Sequence, residues 1–495
     1  MGSASTREIA ALLCVLPLAA SPARAADRLA APASQTSSSQ TSPSQTSPSQ
    51  TSWAPSEAPA ESAASYAGAC NAYGASYFAI PGSDLCLAIG GAAAGQLELR
   101  SLPRAAGPAA GAALPFTPKT QPAAALGGAF AVGVNAAARL PTEAGLVSAY
   151  VSAIAGYSGS ADPSTWTNLT RLDLAYLTFA GWTAGRAQSA FDFYADAWNF
   201  TVLRGSNART ELLSYAFAPT PGLTAILSVE NSWERRSAVG QVINPRASAV
   251  DVASSAPDLV GAVRVESPLG LAQLSAAAHQ LRTLYVAPPS VAPGQPDAAT
   301  SSQWGFAAQG GLKVKLPSLS DADAMILQAT YARDASAYVS GDTQSTFGDF
   351  NHFGGANPRL TTTPNLAAYN YDCVIAAQPF GRCDKSSGYA IVAALKHFWS
   401  PTVSSSLFAS VFGMNYPEAV RNGPSGVAGA GDYRETTVGG NLVWQPLKNL
   451  MIGGEISYTL GKTETPAPAQ NAPSAGDHWT AATEWSGRVR VQQNF

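Results

Sequence analysis

The 495 residues would fill two or three soluble domains, yet only 12% of them are charged, about half the share of an ordinary globular chain. A net charge of −3 gives no footing for nucleic acid, and beyond the N-terminal leader no apolar run reaches the roughly 18 residues that a spanning helix needs. Abundant Gly, Ala, Ser and Thr beside Tyr, Phe and Trp suit a barrel wall with apolar residues outside and small or polar ones inside.

The chain opens with a secretory pattern. Arg7 precedes an apolar run from Ile9 to Ala20, and Ala23-Arg24-Ala25 is an A-x-A cleavage site, so residues 1–25 are expected to be removed on export. Residues 26–65 form a Ser/Gln/Thr/Pro-rich linker, with a Ser-Gln-Thr-Ser unit repeating between Ser34 and Ser52. Too few apolar groups are present there to offset the entropy of ordering, so disorder is expected. An inert linker and a periplasmic tether both fit. Residues 66–495 read as one barrel domain.

Cys14 leaves with the leader. Cys70, Cys86, Cys373 and Cys383 remain and fit two local bridges in an oxidising compartment, Cys70–Cys86 and Cys373–Cys383; two free-thiol pairs are the other reading. Zinc does not suit these spacings, and no histidine lies close to them.

From Cys86 onward the apolar residues alternate with period 2, which predicts an all-β, 16-stranded antiparallel transmembrane β-barrel. The strands fall near 86–100, 126–139, 145–158, 168–179, 183–194, 209–218, 222–235 and 257–267. They continue near 271–283, 304–316, 323–338, 387–399, 403–415, 433–445, 449–461 and 485–495. Every link from an even strand to the next odd one is short, as at Ser267-Pro268-Leu269-Gly270 and Pro446-Leu447-Lys448-Asn449. Most links from odd to even are long. Short periplasmic turns and long external loops are the asymmetry of an outer-membrane barrel. In the last strand Trp485, Gly487, Val489, Val491 and Phe495 share one face, and the chain ends on Phe495. An aromatic last residue is what the outer-membrane barrel assembly machinery favours, so Phe495 is the candidate assembly signal.

Several segments resemble the porins of alphaproteobacteria. They are Cys70-Asn71-Ala72-Tyr73-Gly74, the stretch Tyr77 to Cys86, AYLTFAGWTAGRAQSAFDFY (Ala175–Tyr194), VRVESPLGLAQLSAAAHQ (Val263–Gln280), LKVKLP (Leu312–Pro317), LQATYA (Leu327–Ala332) and IVAALKHFWSPTVSSSLFASVFG (Ile391–Gly413). The resemblance implies an outer-membrane homotrimer of general-diffusion barrels, in contact with lipid and lipopolysaccharide, with the third long loop folded inward. The linker lies outside that pattern, and Ser148 and Ser152 stand in the third strand where family members commonly carry arginines.

Strand parity assigns the lumen. A charge on the lipid face costs roughly 2–4 kcal/mol near the midplane, so Arg171, Asp173, Arg264, Glu266, Lys313, Lys315, Lys396, Arg488 and Arg490 are expected to line the pore. Arg186 and Gln188 on the wall, facing Asp192 and Asp196 on the infolded loop, are the expected constriction; alternatively these charges only hold the loop down. His279, His352, His397 and His478 are scattered and no serine sits in a G-x-S-x-G elbow, so no enzyme, metal or cofactor is expected. Passive diffusion of small hydrophilic solutes and ions is the expected function. A substrate-specific channel, or an adhesin or structural barrel, is the alternative.

Overall fold

The computed structural model describes residues 70–74, 76–101, 104–106, 124–160, 167–236, 238–241, 248–252, 254–286, 298–340, 371–375, 383–417, 432–464 and 479–495. The predicted leader and linker lie outside them. Sixteen long strands form the barrel: β1 (Cys86–Ser101), β2 (Ala124–Thr142), β3 (Gly145–Ser160), β4 (Thr167–Phe179), β5 (Trp182–Gln188), β6 (Arg209–Thr220), β7 (Leu223–Glu230) and β8 (Asp258–Ser267). They continue as β9 (Gly270–Val286), β10 (Ala298–Lys315), β11 (Ala324–Arg333), β12 (Ser387–Ser400), β13 (Val403–Asn415), β14 (Tyr433–Leu447), β15 (Leu450–Glu464) and β16 (Trp479–Asn494). Each pairs antiparallel with the next, and β16 returns to β1 through Ala92↔Asn494 to Arg100↔Ser486. The sheet closes. Phe495 completes the seam: its N–H donates to the Gly91 carbonyl and its own carbonyl accepts the Gly91 N–H, both at 3.0 Å. Gly91 has to be glycine, because a Cβ there would lie 2.4 Å from the Gly133 carbonyl and 2.6 Å from the Phe495 ring.

Six of the seven even-to-odd links are two residues long, and the seventh, 316–323, has eight. Tight hairpins of this kind favour turn residues with positive φ, because such turns match the twist of the strands. Ala180 and Gly181 supply them between β4 and β5, with φ of 46° and 84°.

The barrel is apolar outside and polar within. On the outer face Leu97, Phe130, Leu177, Leu213, Leu227, Leu274 and Val489 are exposed. Their strand neighbours Gln96, Glu98, Ser228, Gln273, Ser275, Arg488 and Arg490 are buried. Both disulfides form. Cys70–Cys86 ties a short 3-10 helix, Cys70–Tyr73, to the start of β1. Cys373–Cys383 joins two short strands, Tyr371–Ile375 and Cys383–Lys385, and Ala238–Gln241 adds to the first of these in parallel. That small sheet links the loop after β7 to the loop after β11.

Three strands end earlier than alternation predicts. The strand expected at 183–194 stops at Gln188, that at 222–235 at Glu230, and that at 323–338 at Arg333. Each then turns into polar or helical backbone. Asn231 caps the 3-10 helix Ser232–Arg235 by accepting from the Trp233 N–H. Asp334 takes φ of 55° ahead of a one-turn helix, α1 (Ala337–Ser340). Apolar spacing continued past these points because the residues pack inside the barrel.

Candidate functional site

The loop between β5 and β6, residues 189–208, folds into the barrel, where wall side chains anchor it along its length. The Phe191 carbonyl accepts from Gln309 Nε2 at 2.7 Å, Ser275 Oγ at 2.8 Å and Gln273 Nε2 at 3.2 Å. The Tyr194 N–H donates to Gln328 Oε1 at 2.9 Å, and the Trp198 carbonyl accepts from Asn441 Nδ2 at 2.7 Å. The N–H groups of Phe200 and Thr201 donate to the Glu455 carboxylate, each at 2.6 Å. Arg204 grips Glu435 with two bonds of 2.9 Å. The loop thus spans the lumen from β9 to β15.

Glycines on the wall make room for its rings. A Cβ on Gly311 would lie 2.3 Å from the Phe193 ring, and one on Gly453 2.7 Å from the Phe200 ring. Arg490 stacks over Phe200 at 4.5 Å while its guanidinium bonds Gln96. Arg488 pairs with Glu98 at 2.8 Å and Glu455 at 3.3 Å.

A second segment dips into the lumen beside this loop. Tyr338 of α1 is fully buried and meets Phe191 edge-on at 4.7 Å, and its hydroxyl donates to Asp258 at 2.7 Å. His279 Nδ1 lies 2.8 Å from the same carboxylate. Where this loop leaves β11, Asp334 is buried against Lys385 at 2.9 Å, and burial pushes its carboxyl up to about 7 despite that lysine.

The expected constriction divides. Gln188 does contact Asp192, by a bond from its Nε2. Arg186 does not reach either loop carboxylate. It shares the outer face with Trp182, and pairs there with Glu211 at 2.9 Å and Glu234 at 3.0 Å. The lipid-cost filter sent it inward, but Arg186 is neutralised on the outside by carboxylates. Asp192 instead meets Arg235 at 2.8 Å, with both side chains only 1% exposed, and also accepts from Ser206 Oγ and the Ala208 N–H. Burial opposes the charge on Arg235, but Asp192, Tyr338 and Glu230 outweigh it and hold the guanidinium above its usual range. Asp196 caps the turn within the loop, accepting from Asn199 Nδ2 and the Leu203 N–H at 3.1 Å each. Both carboxylates hold the loop's shape.

Of the lining residues, Arg488 and Arg490 lie under the loop, and Lys313 sits 5.8 Å from the Trp198 ring. Arg264 bonds Gln273, and Lys396 stacks on Phe398 at 5.2 Å. Glu266 and Lys315 follow the same parity near the short-turn end, and both are exposed. Asp173 joins Arg171 at 3.3 Å and Arg209 at 3.2 Å. Glu435, Glu455 and Glu98 were missed as anchors, although each alternates inward on a strand whose other face is apolar.

The family model described as "Porin subfamily" matches residues 57–485. The chain belongs to that family. Porin Omp2a of Brucella ovis is 27% identical over 198 residues, covering 36% of this chain and 53% of the relative. Porin Omp2b of Brucella suis is 25% identical over 224 residues, covering 42% and 56%. The chain thus spans about half the length of the curated relatives it matches. Among solved structures, the outer membrane channel DcaP of Acinetobacter baumannii shares the fold, with a TM-score of 0.52 at 15% identity over 84% of this chain and 99% of that one. Family and fold together assign this porin-family barrel to the outer membrane.

Proposed function

We propose that the protein passes small hydrophilic solutes and ions by passive diffusion through a lumen narrowed by the loop 189–208. The observation that carries this is the loop itself, tied across a polar interior by bonds to β9, β10, β11, β14 and β15. A structural barrel or adhesin has no need of an inner wall this rich in charge. Purified protein in planar bilayers should give stepwise ohmic openings; a folded barrel that inserts and stays silent would remove the channel reading.

The working unit on this reading is a homotrimer, and β5–β7 mark its contact face. Arg186 and Glu211 point outward on these strands, and the side chain of Asn231, just after β7, is bonded to Glu211 at 3.0 Å. An outer-face charge costs up to roughly 2–4 kcal/mol at the lipid midplane and less towards the rim, whereas a neighbouring barrel supplies partners. Glu211→Lys should turn a heat-dissociable trimer into monomer on semi-native gels. A trimer unchanged by it would move the interface elsewhere. The remaining outer face meets lipid and lipopolysaccharide, and Phe495 is the end presented to the barrel assembly machinery.

A further inference from the structure

The lumen's charges are unequally balanced around the wall. The carboxylates of Glu98, Glu435 and Glu455 are all taken by arginines, Arg488 and Arg204. The sector β10–β12 differs. There, at the short-turn end, Lys313, Lys315 and Lys396 point inward, and none of the three forms an ion pair among the described residues.

Register brings them together. Lys315 pairs with Ala324, and Ala324 with Lys396, so the two lysines flank one buried methyl group in a single cross-strand row. At about 4.8 Å per strand their Cα atoms lie about 10 Å apart, and Lys313 is roughly 7 Å further along β10. The infolded loop roofs the group: Lys313 Nζ is 5.8 Å from the Trp198 ring. The carboxylates nearby include Glu266 and Asp323. Glu266 stands two strands from Lys313 in its row and is exposed, and Asp323 is already held by His397 Nδ1 and the Phe398 N–H.

We infer that Lys313, Lys315 and Lys396 form a lumenal binding site for a small, doubly charged oxyanion. Three ammonium groups on one inward-facing sector repel one another when the site is empty, and an anion between them relieves that repulsion. The gain grows with ligand charge, which favours a dianion over chloride. Each ammonium offers three rotatable donors, suited to several oxygens of one compact ion rather than to a planar fork. Trp198 closes the side facing the loop, so the ligand sits on the permeation path just beyond the constriction.

The inference rests on the channel reading, and the test separates the two. Purified full-length protein and the K313Q/K315Q/K396Q variant are compared in planar bilayers in potassium chloride, with folding checked by heat-shifted gel mobility. Conductance of the parent tests the channel. Inorganic phosphate in its dianionic form is then added. The parent current should fall saturably, and the half-effective concentration should rise by at least about tenfold in the variant, a loss of about 1.4 kcal/mol in binding. Calorimetric titration of phosphate into detergent-solubilised parent and variant gives the same comparison without current. A conducting parent that ignores phosphate, or a variant with the parent's phosphate response, would overturn the site while leaving the channel intact.

Discussion

Glu455→Ala should release the constriction and raise single-channel conductance, with open-channel noise. Glu455 takes the N–H groups of Phe200 and Thr201 at 2.6 Å and also Arg488 at 3.3 Å. Removing it orphans two loop donors and leaves Arg488, which is 4% exposed, with Glu98 as its remaining carboxylate. Breaking a buried charged cluster by deleting one partner costs about 3–5 kcal/mol. That penalty falls on docking of the loop, because the backbone ladders on either side of Glu455 are unaffected. The barrel should therefore persist, with heat-shifted gel mobility as its signature, while bilayer recordings show the wider pore. Parent-like conductance would mean that the anchors on β9–β11 hold the loop by themselves.

The other large effect is expected at the root of the same loop. Asp192→Asn keeps the shape but strips Arg235 of its close counter-charge, where both side chains are 1% exposed. What remains for that guanidinium is Ser206 Oγ at 2.8 Å, the Tyr338 face at 4.3 Å and the more distant charge of Glu230. Stability should fall by about 3–5 kcal/mol, read as a lower urea midpoint for loss of the folded gel form. Because a buried pair replaced on both sides by uncharged groups is often near neutral, Asp192→Asn combined with Arg235→Met should recover most of the loss. A single variant as stable as the parent would make the pair an incidental contact.

These two residues show where the sequence was readable. All 16 predicted strands exist, because period-2 alternation is a local property enforced by lipid on one side. The inward placement of Lys313, Lys396, Arg488 and Arg490 follows from the same rule. Asp192 and Asp196 were found as loop carboxylates, and Gln188 as a partner of Asp192, but Arg186 reaches neither of them. Asp192 meets Arg235, 43 residues on, and the Thr201 N–H meets Glu455 across 254. Contacts at such separations are chosen by how the loop lands, which no local pattern encodes. Arg186 failed for another reason: the filter assumed that all of the outer face meets lipid, and β5–β7 violate it with Arg186 and Glu211.

The seam between Gly91 and Phe495 also sets an order in time. All other barrel pairings join neighbours along the chain and can zip up progressively, but Arg488 meets Glu98 across 390 residues. Such a pairing bears the largest loop-closure entropy in the molecule. Until it forms, the sheet is open and curled, with unsatisfied edges on β1 and β16. Glu455 and Arg488 stand on β15 and β16 while the loop 189–208 leaves β5, so the loop cannot be tied across the lumen until both parts of the sheet are present. Closing the wall and fixing the loop thus draw on the same two strands, and a truncated chain lacking β15 and β16 has neither a closed wall nor a finished gate.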